Sequence, residues 1–315
     1  PLQIEEKKDD KKIVIQKTAE HIEKLKKREF SQSALNLYLR CPLQFYLRYV
    51  ADIREPNELE EVMDAGSFGN VLHKAIEILY TDFLQKTATA DMIRAKLPHL
   101  KTALNDAFKE EYQSYEELKG QNLLAYDMML QSLKKIILLD ISLAETHPFE
   151  IMHLEGDLRR TISTNVGDEI TLQGKIDRVD KIGDIIRIID YKTGKVELIN
   201  QKNFVADKIS MIFERGNLKI KPQTFQGLFY QYLMNENNAQ IGFYSIRDLK
   251  NGIQYLNEGL LIPTDIQDEF ENLHVDINEL IGIANFFDND DIVAKMKVIV
   301  PEFKSMNSTF EILDK

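Results

Sequence analysis

The stretch "GKIDRVDKIGDIIRIIDYKTGK", Gly174 to Lys195, decides the fold. It reads as two strands joined by a tight turn at Gly183–Asp184. Yet Asp177, Asp190 and Lys192 stand where strand interiors carry apolar or neutral side chains. Acidic groups near a core are costly unless something pairs with them. Asp190 and Lys192 are two residues apart, so a pleated strand projects both to one face. Asp177 and Asp190 are equidistant from the turn, which sets them across from each other on the hairpin. Two carboxylates that close repel unless a cation intervenes. A divalent, oxygen-seeking ion such as Mg²⁺ is the natural solution, since it takes one or two carboxylates plus waters and phosphate oxygens. Taken alone, a D-x-K pair at a strand end is more often a solvated salt bridge. The run Ile185, Ile186, Ile188 and Ile189 weighs against that, because it predicts a central strand buried on both faces. The polar residues then emerge at the carboxyl end of a buried strand.

The 315-residue chain is 43% apolar and 29% charged, the composition of an ordinary globular protein with ample core. No stretch is long and apolar enough to span a bilayer, and no signal peptide is visible. The single cysteine, Cys41, excludes an intrachain disulfide framework and fits a reducing compartment such as the cytoplasm. A net charge of −11 argues against a protein that coats nucleic acid non-specifically. It leaves room for an enzyme that confines positive charge to one channel. The chain begins at Pro1 without a methionine, which raises the suspicion of a fragment.

Outward from the hairpin, residues 151–163, 170–181 and 185–191 carry period-two patterning and read as three consecutive strands. Residues 239–248 and 253–261 read as further strands, with Asn251–Gly252 as the turn signal. Helical periodicity marks 66–86, 91–145 and 224–235. Ser31 and Ser33 are both plausible caps of a short apolar helix that Pro42 breaks, and 43–50 form a second helix. Residues 1–30 are expected to be a charged helix or linker, 31–265 the main domain with a helical insertion at about 85–145, and 266–315 a C-terminal helix and tail. The layout is an α/β domain with helices packed on a mostly single sheet.

With these elements in place, "GKIDRVD…IIRIIDYKTGK" resembles the catalytic core of the PD-(D/E)XK nucleases, and most closely their RecB/AddB-type branch. Four further features agree in order. "SQSALNLYLRCPLQFYLRYV" looks like the branch's S-x-S-x-L-x-x-Y-x-x-C-P-x-x-F-x-x-x-Y segment, and "GSFGNVLHKAIE" like its G-x-x-x-H helix. "HLEGDL" resembles its first strand, and "QGLFY" matches its Q-x-x-x-Y helix. The resemblance spans about Ser31 to Asp248. Single motifs of this length are weak, but five in order are strong.

The resemblance implies a restriction-endonuclease-like mixed sheet flanked by helices and a Mg²⁺- or Mn²⁺-dependent deoxyribonuclease that leaves a 5′-phosphate. It implies Asp177, Asp190 and the Tyr191 carbonyl as metal ligands, with His73 completing the site. Lys192 would orient or deprotonate the attacking water and stabilise charge on the phosphate. Glu77, four residues beyond His73 on its helix, could orient the imidazole or simply be solvated. Glu155 occupies a position that helps bind metal in some relatives. Gln226 and Tyr230, i and i+4 on one helical face, would touch the DNA backbone or else cap core packing. Lys175, Arg178 and Lys195 could meet phosphates, although exposed basic residues usually do nothing specific.

Many relatives of this type carry an iron–sulfur cluster held by four cysteines. Cys41 fills the first position, but one thiolate cannot hold such a cluster, so none is expected in this chain and Cys41 should be a small buried residue. No G-x-x-x-x-G-K-[ST] loop is present, so ATP hydrolysis is not expected, and a helicase domain or subunit is the implied partner. The implied role is the exonuclease domain of a DNA repair and recombination helicase–nuclease. The alternative is a non-catalytic DNA-binding or scaffold module that keeps the fold, which would normally show Asp190 or Lys192 replaced.

Overall fold

A computed structural model describes residues 18–53, 63–112, 119–163, 169–198, 212, 221–236 and 239–256, plus the backbone of 12–14 and 311–313. The last two segments are short strands, β1 (Lys12–Val14) and β9 (Glu311–Leu313), paired antiparallel. The expected C-terminal helix from residue 265 and the acidic tail at 288–291 lie outside the described residues.

The sheet grows from the quoted hairpin. Strand β5 (Glu169–Ile182) and strand β6 (Ile185–Lys192) pair antiparallel from Ile182↔Ile185 to Arg178↔Ile189. Gly183 turns the chain with φ +56°, a left-handed conformation that only glycine adopts without steric cost. Strand β4 (Phe149–Ser163) runs antiparallel along the whole other edge of β5. Beyond β4 lies the two-residue β3 (Thr87–Ala88). Strand β7 (Gln240–Ser245) lies parallel to β6, and β8 (Ile253–Tyr255) closes that side antiparallel to β7. A parallel neighbour requires a crossover, here carrying helix α8 (Pro222–Met234). The sheet is therefore mixed, as expected. The second later strand, expected over 253–261, ends at Tyr255, with Leu256 already outside it and residues 257–261 outside the described ones.

Both faces of the sheet are covered. On one face, α2 (Gln32–Arg40), α3 (Pro42–Phe45) and α8 pack a core with Ile170, Leu172, Ile188, Ile241 and Phe243. On the other, α4 (Ala65–Tyr80), α5 (Ala90–Arg94), α6 (Leu100–Glu111) and α7 (Gln121–Thr146) cover Phe149, Ile151, Ile189, Tyr191 and Tyr244. Burial on both sides is what the isoleucine run of β6 requires, with two corrections. Ile185, beside the turn, is 46% exposed, and the charged Arg187 in mid-strand is buried. The caps follow the sequence: Ser31 Oγ accepts the Ala34 amide at the start of α2, and Pro42 begins α3. The second helix changes at Tyr46 into a π turn that runs to Val50.

The charged N-terminal segment is not solvated throughout. It contains helix α1 (Ala19–Lys26), which buries Leu25 in the first core. It then leads into β2 (Glu29–Ser31), parallel to β5 at 171–173. Strand β6 pairs with 178–182 of the same strand. Residues 174–177 of β5 thus lie in a gap between β2 and β6, and the candidate site opens there.

Helix α8 lies unusually close to the sheet. A Cβ on Gly227 would sit 2.6 Å from Ile241 Cγ2, and one on Gly174 would sit 3.0 Å from both Leu233 and Tyr230. Two glycines, one on each surface, let helix and sheet approach.

Candidate active site

Three carboxylates share one row across the sheet. Continuing the strand registers by one residue sets Glu155 of β4 opposite Asp177 of β5, and Asp177 opposite Asp190 of β6. Asp177 and Asp190 are buried, and Glu155 is half-buried. Glu155 lies within β4, just beyond a register shift at Ile151/His153. Its backbone is left-handed (φ +47°), a strained state for glutamate. Such outliers persist where the surroundings over-determine them, commonly at functional sites.

Helix α4, capped by Asp64, brings His73 to the row. Its Nδ1 lies 3.3 Å from Asp177 Oδ1 and 3.7 Å from Glu155 Oε1, and its Nε2 donates to the Tyr191 carbonyl at 2.9 Å. Burial works against a charged imidazole, but Asp177 and Glu155 outweigh it and hold His73 well above its usual range. Asp177 Oδ2 accepts the Tyr191 amide at 2.7 Å. Burial would raise the Asp177 carboxyl, yet His73 and Lys192 keep it below the ordinary value. Asp190 has the opposite fate: burial and then the Asp177 charge push it up to about 7. Two carboxyls this close cannot both ionise freely, so the pair titrates as a unit.

Lys192 lies on the same face as Asp190, as strand alternation requires, with Nζ 2.8 Å from Oδ2 and 3.1 Å from Oδ1. Its side chain stays 26% exposed, so the ammonium is buried against Asp190 on one side and open on the other. From α8, Gln226 Nε2 donates to Asp190 Oδ1 at 2.9 Å and lies 3.0 Å from the Tyr230 hydroxyl. Lys175 pairs with Glu155 Oε2 at 2.7 Å. His73, Asp177, Asp190, Lys192, Glu155, Gln226 and Tyr230 therefore converge. Glu77 does not reach the imidazole; Lys74 takes its carboxylate at 3.2 Å.

The donor set fits a hard divalent cation. The ligand atoms of His73, Glu155 and Asp177 lie within 4.8 Å of one another, and the Asp190 carboxyl and Tyr191 carbonyl adjoin them. Oxygen donors with one imidazole, crowded enough to raise the Asp190 carboxyl, are what such an ion relieves.

Sequence reasoning missed the layer behind this row. Arg178 is fully buried and does not face a phosphate. Its guanidinium donates to Asp140 at 2.6 and 3.3 Å, and its Nε lies 3.0 Å from Asp180. Four rings, of Tyr80, Phe149, Tyr191 and Tyr244, surround it at 5.4–5.9 Å. Tyr80 and Tyr244 donate to Asp140, and Arg187 pairs with Asp180 at 2.6 Å. One signal was readable: Asp140 falls on the buried stripe of α7 with Leu133, Ile136, Ile137 and Ala144. Lys195 pairs with Glu197 at 3.1 Å on the surface. Cys41 is buried, and its sulfur accepts the Gln44 amide at 3.3 Å.

Comparisons with known proteins agree with this geometry. A family model described as the PD-(D/E)XK nuclease superfamily matches residues 29–295. The chain is 28% identical over 188 residues to an ATP-dependent helicase/deoxyribonuclease subunit of Carboxydothermus hydrogenoformans, covering 55% of this chain and 17% of that protein. It is 20% identical over 267 residues to a protein of the same name from Streptococcus pyogenes, covering 84% of this chain and 23% of the relative. An "Uncharacterized protein RC0550" of Rickettsia conorii is 23% identical, covering 60% of this chain and 22% of that protein. The chain thus spans about a fifth of the length of the curated relatives it matches.

Proposed function

The chain belongs to the PD-(D/E)XK nuclease superfamily, and on that premise we propose that it hydrolyses phosphodiester bonds in DNA with the help of a divalent metal ion, leaving a 5′-phosphate. The observation that carries the reading is the row Glu155–Asp177–Asp190, with His73 at one end and Lys192 beside Asp190. Asp177, Asp190, His73 and the Tyr191 carbonyl would hold the ion, with Glu155 as a further oxygen donor. When bound, a Mg²⁺ or Mn²⁺ ion supplies Lewis acidity at the scissile phosphate and lowers the pKa of water.

The chain's own residues do the rest. The Tyr191 amide fixes the Asp177 carboxylate, leaving Oδ1 toward His73. Gln226 and Lys192 orient Asp190 from the other side. Lys192 presents a cation to the opening, where it can align the attacking water and meet charge that develops on the phosphate. Tyr230 is buried in the core and its hydroxyl accepts from Gln226, which supports the position of that amide.

The name that two of the relatives share joins a helicase to a deoxyribonuclease. We take the chain as the exonuclease part of such an assembly, acting on DNA ends beside a helicase. No helix among the described residues is long and apolar enough to cross a membrane.

The test is degradation of end-labelled linear single- and double-stranded DNA with Mg²⁺, Mn²⁺ or EDTA, beside Asp190→Ala and Lys192→Ala. Metal-dependent cleavage lost in both variants is expected. No cleavage and no calorimetric binding of either ion would favour a non-catalytic scaffold that keeps the fold.

A further inference from the structure

The buried layer behind the carboxylate row draws one residue from each element that builds the site. Helix α4 supplies His73 and, two turns on, Tyr80; β4 supplies Glu155 and Phe149; β5 supplies the adjacent Asp177 and Arg178; β6 supplies the adjacent Asp190 and Tyr191. In each pair the first residue belongs to the site, and the second enters a cage whose hub is the Arg178 guanidinium. Neighbours on a strand point to opposite faces, so Asp177 and Arg178 are two sides of one piece of backbone, as are Asp190 and Tyr191. Tyr244 of β7 closes the cage, its ring 5.5 Å from that of Tyr191 and within 4° of parallel.

Tyr191 is where cage and site meet. Its ring lies 5.7 Å from the Arg178 guanidinium, while its amide holds Asp177 Oδ2 and its carbonyl meets His73 Nε2. The Tyr191 hydroxyl is buried and makes no hydrogen bond among the described residues, so the ring is held by packing, stacking and the cation rather than by its polar end. Stability does not account for a charge in this place. A buried ion pair replaced whole by apolar groups of similar volume is often neutral or stabilising. What the pair adds is direction: Arg178 meets Asp140 through two nitrogens, and the Tyr80 and Tyr244 hydroxyls donate to the same carboxylate.

We propose that Arg178 and Asp140 are positioning residues for the metal site: their pair locks the Tyr191 ring from the far face of the sheet, and the Tyr191 backbone passes that order to Asp177 and His73. The inference rests on the nuclease reading above for what the lock serves, and it names the residues that set the ligand geometry without touching metal or DNA.

The test replaces the cage whole. The variant Arg178→Met/Asp140→Leu/Tyr80→Phe/Tyr244→Phe removes Asp140 together with the three described groups that donate to it, and leaves Asp180 on Arg187 at 2.6 and 2.8 Å. Tyr244→Leu beside Tyr244→Phe asks whether the ring stacked on Tyr191 is needed. A control, Phe108→Leu, loosens the same core between Tyr112 and Tyr126. Three readouts are taken on the full chain: urea unfolding, exchange of the Tyr191 amide hydrogen by NMR without metal, and Mn²⁺ binding by calorimetry. The apolar variant is expected to unfold close to the parent, to exchange the Tyr191 amide about tenfold faster, and to bind Mn²⁺ about 10–100-fold more weakly. Tyr244→Leu should share the last two losses, and Tyr244→Phe, which keeps the ring, should recover most of both. Phe108→Leu should lower stability without weakening Mn²⁺ binding. Parent-like amide exchange or Mn²⁺ affinity in the folded apolar variant would overturn the proposal, as would an equal loss of affinity in Phe108→Leu. Where the apolar variant does not fold, the Tyr244 pair decides, and equal behaviour of Leu and Phe overturns the lock. The nuclease reading fails separately: a parent that binds no Mn²⁺ and cuts no DNA loses that function. Exchange of the Tyr191 amide needs neither, and still shows whether the cage holds the backbone.

Discussion

Gln226 Nε2 donates to Asp190 Oδ1 at 2.9 Å, from a helix that touches the sheet because Gly227 has no side chain. The bond fixes the orientation of the one carboxyl in the row that burial and Asp177 push up to about 7. Gln226→Leu should leave melting unchanged and lower kcat of DNA cleavage about 10–100-fold, the usual effect of removing a group that orients a metal ligand. A rise in KM with kcat unchanged would assign Gln226 to substrate binding alone.

The Gly227 contact predicts its own outcome. In Gly227→Ala the new methyl would lie 2.6 Å from Ile241 Cγ2, so helix or strand must shift. The expected cost is about 1–3 kcal/mol in urea unfolding, as for other overpacked cores. Cleavage should also drop at temperatures where the variant is still folded, because Gln226 moves with the helix. Full activity in a folded Gly227→Ala would show that α8 need not sit this close.

Glu155 carries left-handed backbone at φ +47° in the middle of the metal row. Glu155→Gly removes the steric cost of that conformation, while the looser unfolded chain opposes the gain. Its unfolding free energy should therefore hold or rise, by an amount on the order of 1 kcal/mol at most. Affinity for Mn²⁺, read by calorimetry, should weaken about tenfold or more with the carboxylate gone. A variant that is both destabilised and unaltered in Mn²⁺ binding would make Glu155 a structural residue paired to Lys175.

Asp140 contributes to the pH dependence of stability on the acid side. Burial would push its carboxyl up, but Arg178, with the Tyr244 and Tyr80 hydroxyls, holds it below the ordinary value of 3.8. A depressed carboxyl contributes stability that is fully present above its unfolded value and is lost as pH falls through its folded value. Unfolding free energy should therefore decline below about pH 4 with Asp140 as one contributor, and that share should vanish in Asp140→Asn. At neutral pH the substitution should cost about 3–5 kcal/mol, since Arg178 remains buried with one acid fewer. A pH profile parallel to that of the parent would assign acid sensitivity to other groups.

Much of the site is legible in the chain itself. Alternation alone puts Asp190 and Lys192 on one face, and distance from the Gly183 turn puts Asp177 opposite Asp190. Helical spacing puts Gln226 and Tyr230 together, where their side chains bond. The family resemblance supplies His73 and Glu155, which no local period points to. Charge is where the reading fails. Arg178 reads as an exposed contact and is buried among four rings, while Glu77 belongs to Lys74.

The sequence by itself determined what depends on neighbours along the chain: strand and helix periods, the turn at Gly183, the caps at Ser31 and Pro42, and which residues share a face. These follow from backbone geometry that repeats every two or 3.6 residues. Tertiary structure alone decided the charge partners that lie far apart in the chain. Asp140 meets Arg178 from a helix 38 residues away, His73 meets Tyr191 across 118, and Arg40 and Arg48 meet no acid among the described residues. The reason is physical: Coulomb and hydrogen-bond terms depend on distance in space and on burial, and the period of a sequence encodes neither.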